Sequence, residues 1–251
     1  MEEKRSKKLF GLVGKNISYS FSRGYFAEKF EMLDLHDHEY VNFDLTVINE
    51  LDDILKEHNS SLKGMNVTIP YKEEIIPFLH KVDKKAKKIG AVNTIKITKK
   101  GKLKGYNTDY YGFKNSLKPL LKEKHKKALI LGTGGASKAI AYALKKLNIE
   151  YAFVSRKAKN ETMFSYNDLN KTVVEDHLVI INCTPLGTSP NITEKPNIPY
   201  QYIGEHHILY DLIYNPAESA FLKSGKENGA TIKNGLQMLE LQAEKAWEIW
   251  N

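Results

Sequence analysis

Residues 128–149 read ALILGTGGASKAIAYALKKLNI, and this segment restricts the fold more than any other. Ala128 to Leu131 form a short apolar run suited to a buried strand. Gly132-Thr133-Gly134-Gly135 follows as a glycine-rich turn. Ala136, Ile140, Ala143, Leu144 and Leu147 then recur on one helical face. Strand, glycine turn and helix in that order open a dinucleotide-binding α/β layer. Gly132 allows a tight turn, and Gly134 lets the backbone approach a pyrophosphate. The free N–H groups where the helix begins, at Gly135 and Ala136, would hold that anion. The third position of the G-x-G-x-x-G pattern is Ser137 rather than glycine. An ordinary strand-to-helix turn is the competing explanation, and the flanking strand and helix weigh against it.

The next strand, EYAFVSRK at 150–157, bears on which cofactor is bound. NAD sites place an acid at the end of this strand to accept from the ribose 2′-hydroxyl. Here Ser155, Arg156 and Lys157 stand instead, and they suit a 2′-phosphate. A guanidinium offers two parallel donors to such a group. Only three of the 38 basic residues are arginine, namely Arg5, Arg23 and Arg156. The competing reading is a solvated basic turn in a lysine-rich chain. The missing acid and the rare arginine together favour NADP.

The alternation of elements predicts two α/β domains. In the first, 8–14, 39–45 and 65–69 read as strands. Segments 25–33 and 47–58 read as helices, with Phe26, Phe30 and Leu33 on one face and Ile48, Leu51 and Leu55 on another. GAVNTIKIT and KLKGYNTD read as a β-hairpin joined by KKG. A small, mostly parallel sheet follows from that order. A polar helix over 111–127, bent at Pro119, connects to the second domain. Further strands are expected within 177–187, 207–216 and 230–235. The last segment, LQMLELQAEKAWEIW, is amphipathic through Leu239, Ala243, Ala246, Trp247 and Trp250. The expected domains are 1–108, completed by 235–251, and 109–234.

Composition excludes other classes. The chain has 251 residues, 41% hydrophobic and 27% charged, which suits a folded protein of one large or two small domains. No apolar run approaches the roughly 20 residues that span a bilayer. The start, MEEKRSKKLFGLVG, lacks a signal-peptide apolar region, so a cytoplasmic protein is expected. The net charge of +8 suggests small anionic partners. The lysine runs at 84–88 and 122–127 have no interleaved aromatics, so nucleic-acid binding is not expected. Cys183 is alone, which excludes a disulfide framework or a cysteine-built metal site. It reads as a small buried residue at a strand end, and no metal is expected.

The stretch NVTIPYKEE, 66–74, raises a further question. Met65, Val67 and Ile69 alternate with Asn66 and Thr68, then Pro70 ends the strand and Lys72 follows. A hydroxyl and an ammonium group so placed could be a surface edge or could reach into a site. With GKNISYSFS (14–22), GAVNTI, GYNTD, GTGGASKA, SRK, INCTPLG, LIYNP and GLQMLELQA in order, this chain resembles the shikimate dehydrogenases over nearly its whole length.

The resemblance implies a substrate domain, a Rossmann-like NADP domain and a C-terminal helix that returns to the first. It implies reversible NADPH-dependent reduction of 3-dehydroshikimate to shikimate, a step of aromatic amino acid biosynthesis. Carried onto this chain, Ser20 and Ser22 would hold the substrate carboxylate. Thr68, Asn93 and Gln242 would bind ring hydroxyls. Lys72 and Asp109 would form the catalytic pair, the lysine meeting the oxygen that gains charge and the aspartate orienting it. Tyr214, counted among the substrate-binding residues, would lie near the nicotinamide with Gly235 and Met238, and Thr184 and Leu186 would line the cofactor groove. Asn107 and Thr108 would give support. The family usually has histidine before the first serine and proline after the second; here Tyr19 and Arg23 stand there, and Arg23 is expected to face solvent. Taken singly, Lys72 could be a surface lysine, Asp109 a helix cap and Gln242 a solvated helix residue. An NAD-using quinate/shikimate dehydrogenase and a non-catalytic ligand-binding homologue are the alternatives. Monomer and homodimer both stay open.

Overall fold

The structure is a computed structural model that describes residues 7–18, 20–157 and 163–251. It divides into two compact units, one of Met1–Thr108 with Ala243–Asn251, the other of Asp109–Gln242. The first break falls between Thr108 and Asp109. The second lies inside the last helix rather than at 235, where the sequence suggested it.

The first unit carries a six-stranded sheet. Its strands are β1 (Lys8–Gly14), β2 (His38–Asp44), β3 (Leu62–Val67), β4 (Lys81–Val82), β5 (Thr94–Ile97) and β6 (Leu103–Tyr106), in the order β2-β1-β3-β5-β6-β4. The β1 pairings with β2 and β3 are parallel, as is β4 with β6, whereas β5 and β6 form the antiparallel hairpin. Helices α1 (Phe21–Met32), α2 (Leu51–Glu57) and α3 (Lys84–Ile89) complete it. One face of the sheet packs Val13, Leu51, Met65, Val67, Ile75 and Ile95. The other packs Phe10, Phe26, Phe30 and Tyr40 against Ala243, Ala246 and Trp250. Gly64 is required there, because a Cβ would run into the Trp250 indole, whose Nε1 donates to Ile95 O at 2.9 Å.

Three expectations for this unit need correction. The strand containing Met65 begins at Leu62 and ends at Val67, so Thr68 lies just beyond it. Simple alternation fails: Asn66 is 4% exposed and Ile69 is 74% exposed. Asn66 is buried because both faces of the sheet are packed, where strands do not alternate, and Ile69 lies beyond the end of the strand. Leu33 does not share the buried face of Phe26 and Phe30. It is 48% exposed, because α1 stops at Met32 and Leu33 leaves the helical conformation. The lysine run 84–88 is itself helical, capped by Asp83 and by Gly90 at φ 76°, with Ala86 and Ile89 turned inward.

The second unit has a six-stranded parallel sheet of β7 (Lys127–Leu131), β8 (Glu150–Ser155), β9 (Met163–Ser165), β10 (Val179–Asn182), β11 (Ile208–Asp211) and β12 (Thr231–Lys233). Its order is β12-β11-β10-β7-β8-β9. The chain winds outward from β7 in both directions, so the order reverses between β7 and β10. That reversal is the Rossmann switch point, where ligands bind at the carboxyl ends of the strands. Helices α4 (Asp109–Leu117), α5 (Gly135–Lys146), α6 (Lys171–Asp176) and α7 (Ala220–Glu227) belong to this unit. The sequence reading missed β4, β9, α6 and α7, all eight residues or fewer. The expected polar helix over 111–127 stops at Leu117, with a single 3-10 turn at Lys118–Leu120. Pro119 lacks the N–H that would continue it. Nor is it a purely polar connector, since Gly112, Phe113, Ser116 and Leu117 are buried. The last helix, α8 (Leu236–Trp250), contributes Met238 to the core of the second unit and Ala243, Ala246 and Trp250 to that of the first.

Candidate active site

In the first unit, candidate residues collect where β1, β3 and the hairpin end. The loop after β1 is held by Asp44, whose carboxylate accepts from Asn16 N at 2.7 Å and Ile17 N at 3.2 Å. Asn42 Nδ2 donates to Ile17 O at 2.9 Å. Ser20 then caps α1, its hydroxyl accepting from Ser22 N at 3.2 Å. Thr68 closes against the same loop, with its N–H donating to Val13 O at 2.9 Å. Gly14 makes this approach possible: a Cβ there would lie 2.5 Å from the Thr68 methyl and 2.6 Å from Ile17. Arg23 is exposed, and Tyr19 lies outside the described residues.

Lys72 is half-buried in the turn after Thr68. Tyr71 N donates to Thr68 O at 2.9 Å, and the buried Tyr71 hydroxyl donates to Leu45 O at 2.8 Å. Val92 N donates to Lys72 O at 2.7 Å, fixing the lysine backbone beside Asn93. Asn93 is buried; its Oδ1 accepts from Thr108 N at 2.6 Å, and its Nδ2 donates to Thr108 Oγ1 at 3.0 Å. Asn107 Nδ2 donates to Ala91 O at 3.1 Å. Asp109, next in the chain, is the buried first residue of α4.

A buried polar chain that sequence reasoning missed runs beneath these groups. Tyr40 donates to Asn66 Oδ1 at 2.8 Å, and Asn66 Nδ2 reaches both Asn93 O and Thr94 Oγ1 at 3.3 Å. Burial pushes the Tyr40 phenol well above its usual range, and its hydrogen bond with Ser22 opposes that only in part. Ser22, Tyr40, Asn66 and Asn93 thus connect the serine loop to the asparagine strand. The signal available was the polar residue inside the apolar run MNV.

In the second unit the glycine turn lies at the switch point. Gly132 has φ 102°, and a Cβ would sit 3.2 Å from Thr184 Cγ2 and 3.3 Å from Cys183 O. The fold therefore needs glycine at 132. It does not need glycine at 134, the N-cap of α5, with φ −76° and ψ 179°, where a Cβ would meet nothing within 4 Å. That space suits a group that must touch the backbone. Ser137, at the third motif position, is buried and donates from Oγ to Gly134 O at 2.6 Å. Gly135 and Ala136 form the first turn of α5.

Beyond β8, Ser155 Oγ donates to Lys157 O at 2.5 Å, while Arg156 and Lys157 are exposed. Opposite, Thr184 is fixed by Asn182, whose Oδ1 accepts from Thr184 N at 3.0 Å and Thr184 Oγ1 at 2.6 Å. Leu186 N donates to Thr184 Oγ1 at 3.3 Å. Cys183 is partly buried, and desolvation holds its thiol far above the usual range, unsuited to a nucleophile. Tyr214 is half-buried, and the buried Gly235 donates from N to Ile213 O at 3.0 Å. On α8, Met238 and Gln242 are buried, and Gln242 Nε2 donates to Leu239 O at 3.0 Å. Asn182 and Asp211, which organise this region, were also missed by sequence reasoning. A polar residue ending each of the apolar runs VII and ILY was the available signal.

Among the described residues, no cluster of three or more His, Cys, Asp or Glu could hold a metal, and no helix is long and apolar enough to cross a membrane. The family model described as shikimate dehydrogenase substrate binding domain matches residues 12–95. A shikimate dehydrogenase (NADP(+)) of Clostridium botulinum is 40% identical, covering 96% of this chain and 95% of that protein. One from Methanosphaera stadtmanae is 39% identical, covering 96% and 90%. The crystal structure of shikimate dehydrogenase from Aquifex aeolicus matches with a TM-score of 0.87 at 35% identity, covering 100% of this chain and 94% of that one. The Thermus thermophilus enzyme, in complex with NADP(H) and shikimate, matches with a TM-score of 0.85 at 30% identity, covering 97% and 93%. With relatives this similar along nearly its whole length, the chain belongs to the shikimate dehydrogenase family.

Proposed function

We infer that this protein is an NADP-dependent shikimate dehydrogenase, which reversibly reduces 3-dehydroshikimate to shikimate. The observation that carries this is the 40% identity to enzymes of that name over 96% of the chain. The first unit carries most of the residues assigned to the substrate, and the second carries those assigned to NADP. Ser20 and Ser22 hold the substrate carboxylate from the start of α1, and Thr68, Asn93 and Gln242 take its hydroxyls. The glycine turn fits the cofactor pyrophosphate, since the space at Gly134 and the N–H groups of α5 match an anion that approaches the backbone. Arg156 and Lys157, exposed at the end of β8, receive the 2′-phosphate, and Thr184, Leu186, Tyr214, Gly235 and Met238 border the dinucleotide.

Bound NADPH supplies the hydride. The protein manages the carbonyl oxygen, which gains charge as the bond forms. Lys72 donates a hydrogen bond to that oxygen and delivers a proton to it, while Asp109 orients the ammonium group. The test is to mix protein, NADPH and 3-dehydroshikimate and follow the nicotinamide absorbance. A fall that requires both compounds is expected. No fall favours a non-catalytic homologue, and equal rates with NADH favour an NAD-using quinate/shikimate enzyme.

A further inference from the structure

Asp211 is a fully buried carboxylate that none of the roles above uses. It ends β11, directly beside Asn182 at the end of β10, with which it is in register. Its Oδ1 accepts from Asn182 Nδ2 at 3.1 Å and from Ile213 N at 3.0 Å. Its Oδ2 accepts from Ser219 Oγ at 2.5 Å, and Ser219 caps α7. All three donors are neutral. Desolvation accordingly raises the carboxyl from 3.8 to about 6, with the three hydrogen bonds opposing it.

These bonds reach two loops. Asn182 grips Thr184 through Oδ1 and turns Nδ2 toward Leu186 O at 3.4 Å as well as toward Asp211. Ile213 precedes Tyr214 and accepts from Gly235 N. Gly187 lies against both Ser219 and Ile213; its φ of 99° is a conformation that favours glycine, and a Cβ there would approach Glu194 O to 3.1 Å. One carboxylate therefore holds both the 183–187 loop and the 212–219 loop. Cys183 and Tyr200 also sense its charge, and burial keeps both in their neutral forms.

We propose that Asp211 is a positioning residue that, through Asn182 and Ser219, fixes the two strand-end loops bordering the NADP groove. This rests on the functional reading given above. The role is one of hydrogen-bond geometry rather than charge. An asparagine at 211 keeps an acceptor for Asn182 and Ile213 and gives Ser219 a donor, and the serine hydroxyl can accept it.

The test is equilibrium NADPH binding, read by nicotinamide fluorescence, with the Michaelis constant for 3-dehydroshikimate measured alongside. Asp211→Ala should weaken NADPH binding by roughly tenfold or more, because buried donors lose their acceptor. Asp211→Asn should stay within about threefold of wild type, since the donors remain paired. The Michaelis constant for 3-dehydroshikimate should move less than NADPH affinity does in either variant, because the 183–187 and 212–219 loops that Asp211 holds are assigned chiefly to the dinucleotide. If Asp211→Ala does not fold, Asn182→Ala and Ser219→Ala carry the test. Each should weaken NADPH binding by roughly threefold or more, as each removes part of the same network. Unchanged affinity in the folded variants overturns the proposal, as does an Asp211→Asn protein as weak as Asp211→Ala. A wild-type protein that binds no NADPH overturns the functional reading itself, before any variant is compared.

Discussion

Replacing Gly134 with alanine separates what the fold needs from what the cofactor needs. Gly134 has φ −76° and ψ 179°, which any residue adopts, and its Cβ would meet nothing within 4 Å. Two small effects on folding nearly cancel. Alanine restricts the unfolded chain and so stabilises by about 0.4–1 kcal/mol. As an N-cap it is poorer than glycine by a similar amount, on the order of 0.5 kcal/mol. Melting should therefore stay close to wild type. NADPH binding should not, because the methyl group fills the space through which a pyrophosphate approaches the N–H groups of α5. A charge-assisted hydrogen bond is worth about 1.5–3 kcal/mol, and roughly 1.4 kcal/mol is a factor of ten. Losing one such bond weakens binding by about ten- to a hundredfold. Gly132→Ala is the control with the opposite balance. Its φ of 102° and the 3.2 Å approach to Thr184 put the strain into the fold itself. That strain costs about 1–3 kcal/mol, so its melting temperature should fall by several degrees. NADPH titration by fluorescence and thermal melting by circular dichroism read the two quantities. A Gly134→Ala protein that binds NADPH as tightly as wild type would refute the reasoning.

Lys72→Ala should reduce turnover by about a hundred- to ten-thousandfold with a smaller change in substrate affinity; turnover within about threefold of wild type removes Lys72 from the chemistry. Arg156→Ala should raise the Michaelis constant for NADPH by about tenfold or more and barely move that for NADH, since only the former carries the 2′-phosphate. Gln242→Ala should weaken substrate binding and leave NADPH affinity nearly unchanged; a change in melting temperature alone would make it a packing residue. Asp211 gives a pH dependence with a definite sign. Its folded pKa of about 6 lies above the ordinary 3.8. Its contribution to stability is thus fully present below about pH 4 and lost as pH rises through about 6, a difference of up to about 3 kcal/mol. Denaturant melts of Asp211→Asn should show a smaller loss than wild type across that window, and identical slopes would count against a buried ionised carboxylate.

Elements announced by local pattern were legible in the sequence. The apolar run before Gly132 and the spacing of Ile140, Ala143 and Leu144 placed β7 and α5, because strand and helix periodicities are short-range properties. The closing helix was legible along its full length for the same reason. What failed depended on neighbours distant in sequence. Alternation in the strand of Asn66 broke down because side chains from distant elements cover both faces of its sheet, and no local window contains them. The 111–127 segment misled in another way. Its lysines suggested a solvated helix, but Pro119 and the pairing of His125 with Lys122 N and His206 O hold residues 121–126 in irregular backbone.

The candidate site divides along the same line. Thr68, Lys72, Asp109 and the glycine turn could be named as candidates from sequence because each belongs to a contiguous motif. Tyr40, Asn66, Asn182 and Asp211 were not, since each acts through a partner more than two dozen residues away. A buried polar side chain is tolerated only when its hydrogen bonds are met. Asn66 therefore needs Tyr40 and Asn93, and Asp211 needs Asn182 and Ser219. Those dependencies exist only once the sheets have formed. Asn66, Asn182 and Asp211 lie at or near the carboxyl ends of their strands, where the next residues leave the sheet as loops. Substitution of such a group should reach the chemistry by moving Thr68, Asn93 or Thr184 rather than by removing a reacting atom. Its kinetic signature is a change in binding constants larger than the change in turnover at saturation, the reverse of the pattern expected for Lys72.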